Sequence, residues 1–287
     1  AARCPMTPDQ EALVGLAADV LPTGTWKQLD DCGLLGIAVP EAEGGAGLGL
    51  EEVLLILEQQ GRFVAVAPLW EHLIATLVLA KANTPAGTAK LSLSLEGGLV
   101  SGTPDAVVGI DEDGVFFAPV TDLGAVIETT NHTPSHEPTL GARQRLDVDA
   151  AWLEDVARLG LCAQQLGNVD AGVREAAAYL SEREQFGRPL ATFQATQQQL
   201  GDAYCDVQAM RATLWQAAFT LASKDVDVAC WWATDAGERA QHIVQHLHGG
   251  IGADITYPVH HRLLWTMRIN AFLGGPTRQL VRLGKQI

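Results

Sequence analysis

The chain has 287 residues and a formal net charge of −15, with 47% apolar and 18% charged residues. This length supports one or two folded domains, and the apolar fraction excludes a disordered chain. The acidic excess argues against nucleic acid and anionic lipid as partners. No apolar run is long enough to span a bilayer, and no basic region followed by an apolar core opens the sequence. We therefore expect a cytoplasmic protein.

The cysteines indicate reduced thiols rather than a disulfide framework or a zinc site. Their number is odd, their spacing is wide and they form no CxxC pair. We predict ordinary core thiols at Cys4, Cys32, Cys162, Cys205 and Cys230.

Residues 8 to about 83 indicate helices interrupted by one glycine-rich loop. Apolar residues recur at helical distances between Leu50 and Leu57. The stretch from Val39 to Gly49 is rich in glycines, which permit positive φ and end helices. We assign residues 1–88 to an N-terminal helical domain.

Between about Lys90 and Val148 the pattern changes to short strands. Runs of β-type residues alternate with Gly, Pro, Asp and Asn, which is typical of strands joined by turns. The pattern predicts a small, shortened middle β domain over residues 89–149. Its predicted strands are Leu91 to Leu95, Ala106 to Ile110, Val115 to Val120 and Ala125 to Thr129.

From Ala150 onward, three long stretches carry apolar residues at spacings of three and four. Pro258 then suits the start of a fourth helix, and Pro276 the first turn of a short final one. Residues 150–287 thus predict a helix bundle of four or more members, and the whole chain a predominantly helical α+β fold. The three predicted faces are Leu159, Ala163, Leu166, Val169, Val173, Ala177 and Leu180; Leu200, Ala203, Val207, Met210, Leu214, Ala217 and Leu221; and Ala229, Trp232, Ala236, Ala240, Ile243 and Leu247.

Two segments have side chains suited to an anionic dinucleotide. The first reads R-E-Q-F-G-R-P-L at 183–190, followed by Phe193 and Gln194; the second reads H-L-H-G-G-I-G at 246–252, followed by Tyr257 and Pro258. An arginine beside a helix end can form charge-assisted hydrogen bonds to a pyrophosphate, and adjacent glycines let backbone N–H groups approach it. Taken singly, each segment is more typical of a solvated arginine or a glycine C-cap.

Together and in this order, the two segments resemble the acyl-CoA dehydrogenase family, as does W-x-x-L…G-L-L-G-I-A-V-P-E…G-G-x-G-L-G between residues 26 and 49. The resemblance implies an N-terminal helical domain, a middle β domain, a C-terminal four-helix bundle and FAD as the cofactor. Segment 97–103 is similar to one strand of the family's middle domain, but its T-E-P-like and W-x-T-G-like segments are not found. The implied flavin contacts are Arg183, Gln185, Phe186, Gln194, His246 (in place of a glutamine), Gly249, Gly250 and Thr277.

Three histidines near one helix end raise the question of a metal site. His242 and His246 are four residues apart and share a helical face, and His248 follows closely. No glutamate joins them in a zincin-like spacing, so we predict no metal.

The resemblance also implies where a catalytic base should stand. The family removes the proton α to a thioester while a hydride leaves the β carbon for the flavin, which requires a carboxylate. Most members carry this glutamate in a C-terminal Y-E-G-T loop, which aligns with Leu273 here, and a smaller group carries it at the position of Ala157. Neither residue can accept a proton. Glu154, one turn of about 5 Å before Ala157, is the remaining but displaced candidate.

These observations predict a non-catalytic, half-site subunit. The chain resembles the base-lacking subunit of actinobacterial α2β2 acyl-CoA dehydrogenases that desaturate steroid side-chain CoA thioesters. In such an assembly it would help to bind FAD, while a homologous partner subunit supplies the glutamate and most of the substrate site. Two alternatives stay open: a self-sufficient flavoenzyme of the same fold with altered chemistry, and a flavin-free scaffold subunit.

Overall fold

The computed structural model describes residues 6–95, 98–128 and 135–286. The chain forms two compact units. The first, which we call the bundle unit, comprises Ala1–Glu11, Glu58–Ala65 and Leu161–Ile287. The second, the mixed unit, comprises Ala12–Leu57 and Val66–Gly160. The predicted α+β fold with a predominance of helix is confirmed.

The helices are α1 Pro8–Val20, α2 Trp26–Asp31, α3 Leu50–Phe63, α4 Leu69–Lys81, α5 Ala150–Glu182, α6 Gln194–Thr220, α7 Ser223–His248, α8 Pro258–Leu273 and α9 Gly275–Gly284. Three of them begin where the sequence carries a start signal. Thr25 caps α2 in a reciprocal capping box with Gln28, and prolines occupy the first turn of α8 and of α9. The glycine-rich stretch forms a loop and short 3₁₀ turns before α3.

The strands of the mixed unit form two small sheets. The strands are β1 Leu91–Ser94, β2 Val100–Ser101, β3 Ala106–Asp111, β4 Gly114–Asp122, β5 Val126–Ile127, β6 Ser135–His136, β7 Thr139–Leu140 and β8 Gln144–Arg145. In the first sheet, the order is β1-β3-β4-β7 with β8 also paired to β4, and only β1 and β3 run parallel. The second sheet has the order β2-β6-β5 and is antiparallel.

All four predicted runs contain a strand, and β2 lies within segment 97–103, which resembles a strand of the family. The sequence did not reveal β6, β7 and β8, because each has two residues, too few for an alternating pattern to be recognised. The last predicted run is shorter than expected, because only Val126–Ile127 pairs, and Thr129 lies outside the described residues. Gly97, which begins the family-like segment 97–103, also lies outside them.

The predicted face of α7 was wrong in part. Trp232, Ile243 and Leu247 are only half-buried. The buried apolar and cysteine residues of α7 are smaller: Val226, Ala229, Cys230, Ala233, Ala236, Gly237, Ala240 and Val244. Small side chains let helices pack closely, so the large apolar residues flank the contact instead of forming its centre. In the described part of the chain, no helix combines the length and the apolar character needed to cross a membrane.

One of the predicted core thiols is on the surface. Cys205 is exposed, because it lies two residues from Ala203 and therefore on the opposite side of α6 from the buried positions. Cys162 and Cys230 are buried, with sulfur atoms 3.6 Å apart, and Cys32 is half-buried. Cys4 lies outside the described residues.

A buried histidine joins α4 to the first sheet of the mixed unit. The backbone N–H of Leu91 donates a hydrogen bond of 3.1 Å to His72 Nδ1, and the imidazole packs edge-on against Trp26. Burial of the ring lowers the pKa of His72 from its usual value of 6.5 to about 4. The neutral imidazole is therefore the form that this contact requires.

We expect His72 to make folding sensitive to acid. Its pKa is lower in the folded than in the unfolded state, so its contribution is complete above pH 6.5 and is lost as the pH falls through about 4. The free energy of unfolding should drop by about 3 kcal/mol over this range. Urea unfolding of the wild type, His72→Gln and the exposed-site control His242→Gln at pH 7 and pH 4.5 measures the effect. Identical pH dependence in all three would contradict it.

Candidate functional site

All eight positions at which the resemblance implies flavin contacts are exposed, and all belong to the bundle unit. They form three local groups. The first is a hairpin after α5, the second is the end of α7, and the third is the first turn of α9. In that order the positions are Arg183, Gln185, Phe186 and Gln194; His246, Gly249 and Gly250; and Thr277.

The first group lies on a two-stranded hairpin. Strand β9, Glu184–Gln185, pairs with strand β10, Arg188–Pro189, and the N–H of Leu190 donates to the oxygen of Arg183 to close it. Phe186 at the tip has φ +55° and is 90% exposed. A non-glycine residue in this region is strained, and a bare aromatic ring in water is unfavourable. Such features persist where a surface is built to contact something else.

The base of the hairpin is held in a fixed orientation. The Arg188 guanidinium lies 4.1 Å from the centre of the Phe193 ring, a stacking contact typical of arginine. Phe186 contacts Phe193 edge-on, with ring centres 6.1 Å apart. Gln194 begins α6 directly afterwards. The hairpin is thus a positioned arm that presents Gln185 and Phe186 outward.

The second group lies where α7 ends. Gly249 adopts φ +64° and ψ −143°, a conformation that favours glycine, and its N–H donates to the oxygen of His246. A Cβ added at Gly249 or Gly250 would meet no atom within 4 Å, so the backbone is open on that side. His248, by contrast, is buried and stacks on Tyr179 at 4.8 Å. His248 therefore stabilises the helix end, and His246 is exposed.

The histidines do not assemble an ion site in the structure. Within residues 6–95, 98–128 and 135–286, no three His, Cys, Asp or Glu side chains group closely enough to hold a metal. His242 Nε2 lies 3.8 Å from Glu238, its neighbour one turn earlier, and both side chains are at least half exposed.

The first predicted base position is an apolar helix end. Leu273 is the last residue of α8 and 4% exposed. Its backbone oxygen accepts a hydrogen bond from the side chain of the buried Gln279. Gly274 and Gly275 follow with φ +81° and +73°, which turns the chain tightly into α9. This turn holds no group that could remove a proton.

The second predicted base position is also apolar and buried. Ala157 on α5 is 0% exposed, and its backbone oxygen accepts a hydrogen bond of 2.8 Å from Trp70 Nε1. Glu154 is half-buried one turn earlier, and Asp155 pairs with Arg158 at 3.2 Å. Sequence reasoning did not single out Trp70, because one tryptophan in an apolar helix gives no signal of what it contacts.

The sequence matches two family models over most of its length. Residues 7–91 match the acyl-CoA dehydrogenase N-terminal domain, and residues 150–284 match the C-terminal domain. The acyl-CoA dehydrogenase FadE27 of Mycobacterium tuberculosis is 31% identical over 91% of this chain and 87% of its own. The chain belongs to the acyl-CoA dehydrogenase family. A second relative, FadE28 of the same organism, is also 31% identical and is matched over 97% of both chains.

Solved structures agree with this acyl-CoA dehydrogenase assignment. A chain of the Tcur3481-Tcur3483 steroid ACAD superimposes with a TM-score of 0.84 at 36% identity, over 96% of this chain and 97% of that one. A chain of the ChsE4-ChsE5 complex of Mycobacterium tuberculosis gives a TM-score of 0.82 at 29% identity, over 98% and 97%. Butyryl-CoA dehydrogenase of Megasphaera elsdenii, at 19% identity, shares the fold with a TM-score of 0.77.

Compared with what an acyl-CoA dehydrogenase needs, the two kinds of predicted site residue differ in their surroundings. The eight positions implied by the resemblance as flavin contacts are exposed on the bundle unit, whereas both positions implied for the base carry buried alkyl side chains. Desaturation needs a proton acceptor beside the α carbon of the substrate. At these two positions the chain provides none.

Proposed function

We propose that this chain is the base-lacking subunit of a heteromeric, FAD-dependent acyl-CoA dehydrogenase, in which a homologous partner supplies the catalytic glutamate. One observation carries the proposal: Leu273 and Ala157 are both apolar and buried, while all the implied flavin-contacting positions are exposed. Because these positions lie on the surface of this chain, a cofactor bound there could also be contacted by a second chain.

The chemistry of the exposed groups fits an FAD. Arg183 offers a guanidinium, which binds phosphate through two parallel hydrogen bonds. Gly249 and Gly250 offer backbone that no side chain covers, so that a pyrophosphate or ribose can approach it closely. Phe186, at 90% exposure, offers an aromatic ring for stacking, and Gln185 and Gln194 offer amides.

The division of work in the proposed mechanism follows from these residues. The chemistry that an FAD would supply, when bound, is acceptance of the hydride from the β carbon of the substrate. The residues of this chain bind and orient the cofactor at its phosphate and adenine end. Leu273 and Ala157 hold no proton at any step, so the carboxylate that removes the α proton belongs to the partner.

Two relatives support a paired assembly and a steroid-type substrate. The solved relatives with the highest identities reported above are both named as pairs of gene products, and one is named a steroid ACAD. We infer that this chain likewise pairs with a homologous subunit as an α2β2 tetramer. The inferred substrate is a bulky steroid side-chain acyl-CoA.

Replacing Arg183 with alanine tests the shared cofactor site. Loss of one charge-assisted contact to a phosphate is expected to weaken FAD binding by the complex by about tenfold to a hundredfold. The matched control is Arg174→Ala on α5, the helix that ends one residue before Arg183; the Arg174 side chain is 66% exposed and pairs with Asp170 at 3.0 Å. Both variants are co-expressed with the partner, and bound FAD is measured by absorbance and by titration of the stripped complex.

The outcome separates the proposal from the scaffold alternative. Weaker FAD binding in Arg183→Ala, with the control unchanged, supports a cofactor-binding role. Equal FAD affinity in the wild type and both variants would contradict that role and would support a flavin-free scaffold.

A further inference from the structure

A tryptophan side chain fills the space beside Ala157 inside the mixed unit. Trp70 stands near the start of α4 and is 3% exposed. Its indole N–H donates the 2.8 Å hydrogen bond to the oxygen of Ala157. A buried indole needs such a partner, and here the bond fixes the ring against α5.

Gly160 allows the ring to lie against the backbone of α5. A Cβ at Gly160 would stand 2.7 Å from Trp70 Cδ1, 2.9 Å from its Nε1 and 3.0 Å from Leu57 Cδ1. Any side chain there would displace the indole. Positions 157 and 160 are three residues apart and share one face of the helix. The indole therefore covers the face that carries Ala157.

An acyl group served by a base at this position would need the same space. General bases act at hydrogen-bond distance, so a glutamate side chain at position 157 would have to extend through this space for its carboxylate to meet the α carbon. Ala157 and Leu153, which lies one turn earlier on the same face of α5, are both 0% exposed. The face is thus closed by packing, independently of the missing carboxylate.

We propose that Trp70 is a plug that closes this chain's own acyl site, so that the complex binds one steroid-type acyl-CoA per pair of unlike subunits. This inference rests on the proposed function and deepens it, because the chain would then lack both the catalytic carboxylate and the space for the acyl group. Restoring a carboxylate alone, as in Ala157→Glu, then restores no activity to this chain.

The first arm of the test asks whether Trp70 fills a space that a ligand can occupy. Trp70→Ala in the co-expressed complex should leave an apolar cavity that binds free indole, raising the melting temperature by about 3 °C at saturating indole. The wild type and the control Trp152→Ala, a half-buried tryptophan in the first turn of α5, should show no such shift. A rise in melting temperature with indole in the wild type, or no rise in Trp70→Ala, would overturn the proposal that Trp70 fills this space.

The second arm counts acyl sites by calorimetry with a steroid–CoA thioether, which lacks the carbonyl needed for oxidation. The wild type and Trp70→Phe, which keeps a ring, should bind one equivalent per heterodimer, and Trp70→Ala two. Two equivalents in the wild type would overturn the inference whether or not Trp70→Ala assembles. Binding of one thioether equivalent by a Trp70→Ala complex that also binds indole would likewise overturn the inference.

Two other results would contradict the proposed function instead: a complex that contains no flavin, or a complex that binds no thioether. In either case the indole measurement still tests whether Trp70 fills a space that a ligand can occupy.

Discussion

Replacing Gly167 with alanine is expected to lower the free energy of unfolding by about 3 kcal/mol or more. In the bundle unit, a Cβ at Gly167 of α5 would lie 1.8 Å from the backbone oxygen of Glu58 in α3. The contact is reciprocal, since a Cβ at Gly61 would lie 1.9 Å from the oxygen of Gln164. Both obstructing atoms belong to helix backbone and cannot rotate away, so the two segments would have to separate.

A third helical glycine provides the matched control. Gly201 on α6 is exposed, and an added Cβ there meets no atom within 4 Å. Gly201→Ala should therefore stabilise the protein by about 0.5–1 kcal/mol, because alanine loses less backbone entropy in a helix. Urea unfolding of Gly167→Ala, Gly61→Ala and Gly201→Ala measures the three effects. If Gly167→Ala unfolds at the wild-type urea concentration, the described backbone contact is wrong.

Replacing Arg262 with methionine is expected to cost about 3 kcal/mol of stability. Arg262 on α8 is 6% exposed. Its guanidinium binds Glu175 at 2.5 and 2.8 Å, the oxygen of Arg62 at 3.1 Å and the side chain of Asn168 at 3.3 Å. Methionine would fill much of the volume but would leave the half-exposed Glu175, the oxygen of Arg62 and the buried Asn168 side chain without this donor.

The measurement for Arg262 compares three variants by urea unfolding. Arg262→Lys keeps the charge but lacks the planar fork, so it should recover only part of the loss. Arg174→Met, at an exposed ion pair, should change stability by less than about 1 kcal/mol. A loss in Arg262→Met no larger than that of Arg174→Met would show that the buried contacts contribute little.

The sequence predicted the helices better than it predicted their contacts. Spacing, capping signals and prolines located α5 to α9, because these signals are local to the chain. The same signals could not show that Gly167 and Gly61 touch backbone, since a glycine within a helix looks alike whether it is exposed, as Gly201 is, or crossed by another helix.

The candidate site residues remain a prediction. Motif order singled out R-E-Q-F-G and H-G-G, but the sequence did not show that the first of these segments forms an exposed hairpin. The face of α7 was misjudged, because its core residues are small and carry little hydrophobic signal beside Trp232. The position of the Trp70 ring depends on its hydrogen bond to Ala157, which is 87 positions away in the sequence, and periodicity does not encode such a contact.

In the proposed complex, this chain shares a flavin with its partner but supplies no catalytic base. The most direct test purifies this chain, its homologous partner and their co-expressed complex, and measures FAD content and anaerobic flavin bleaching by a steroid side-chain acyl-CoA. We predict about one FAD per heterodimer, bleaching by the complex and none by this chain supplied with FAD. Rapid flavin reduction by this chain alone would contradict the account.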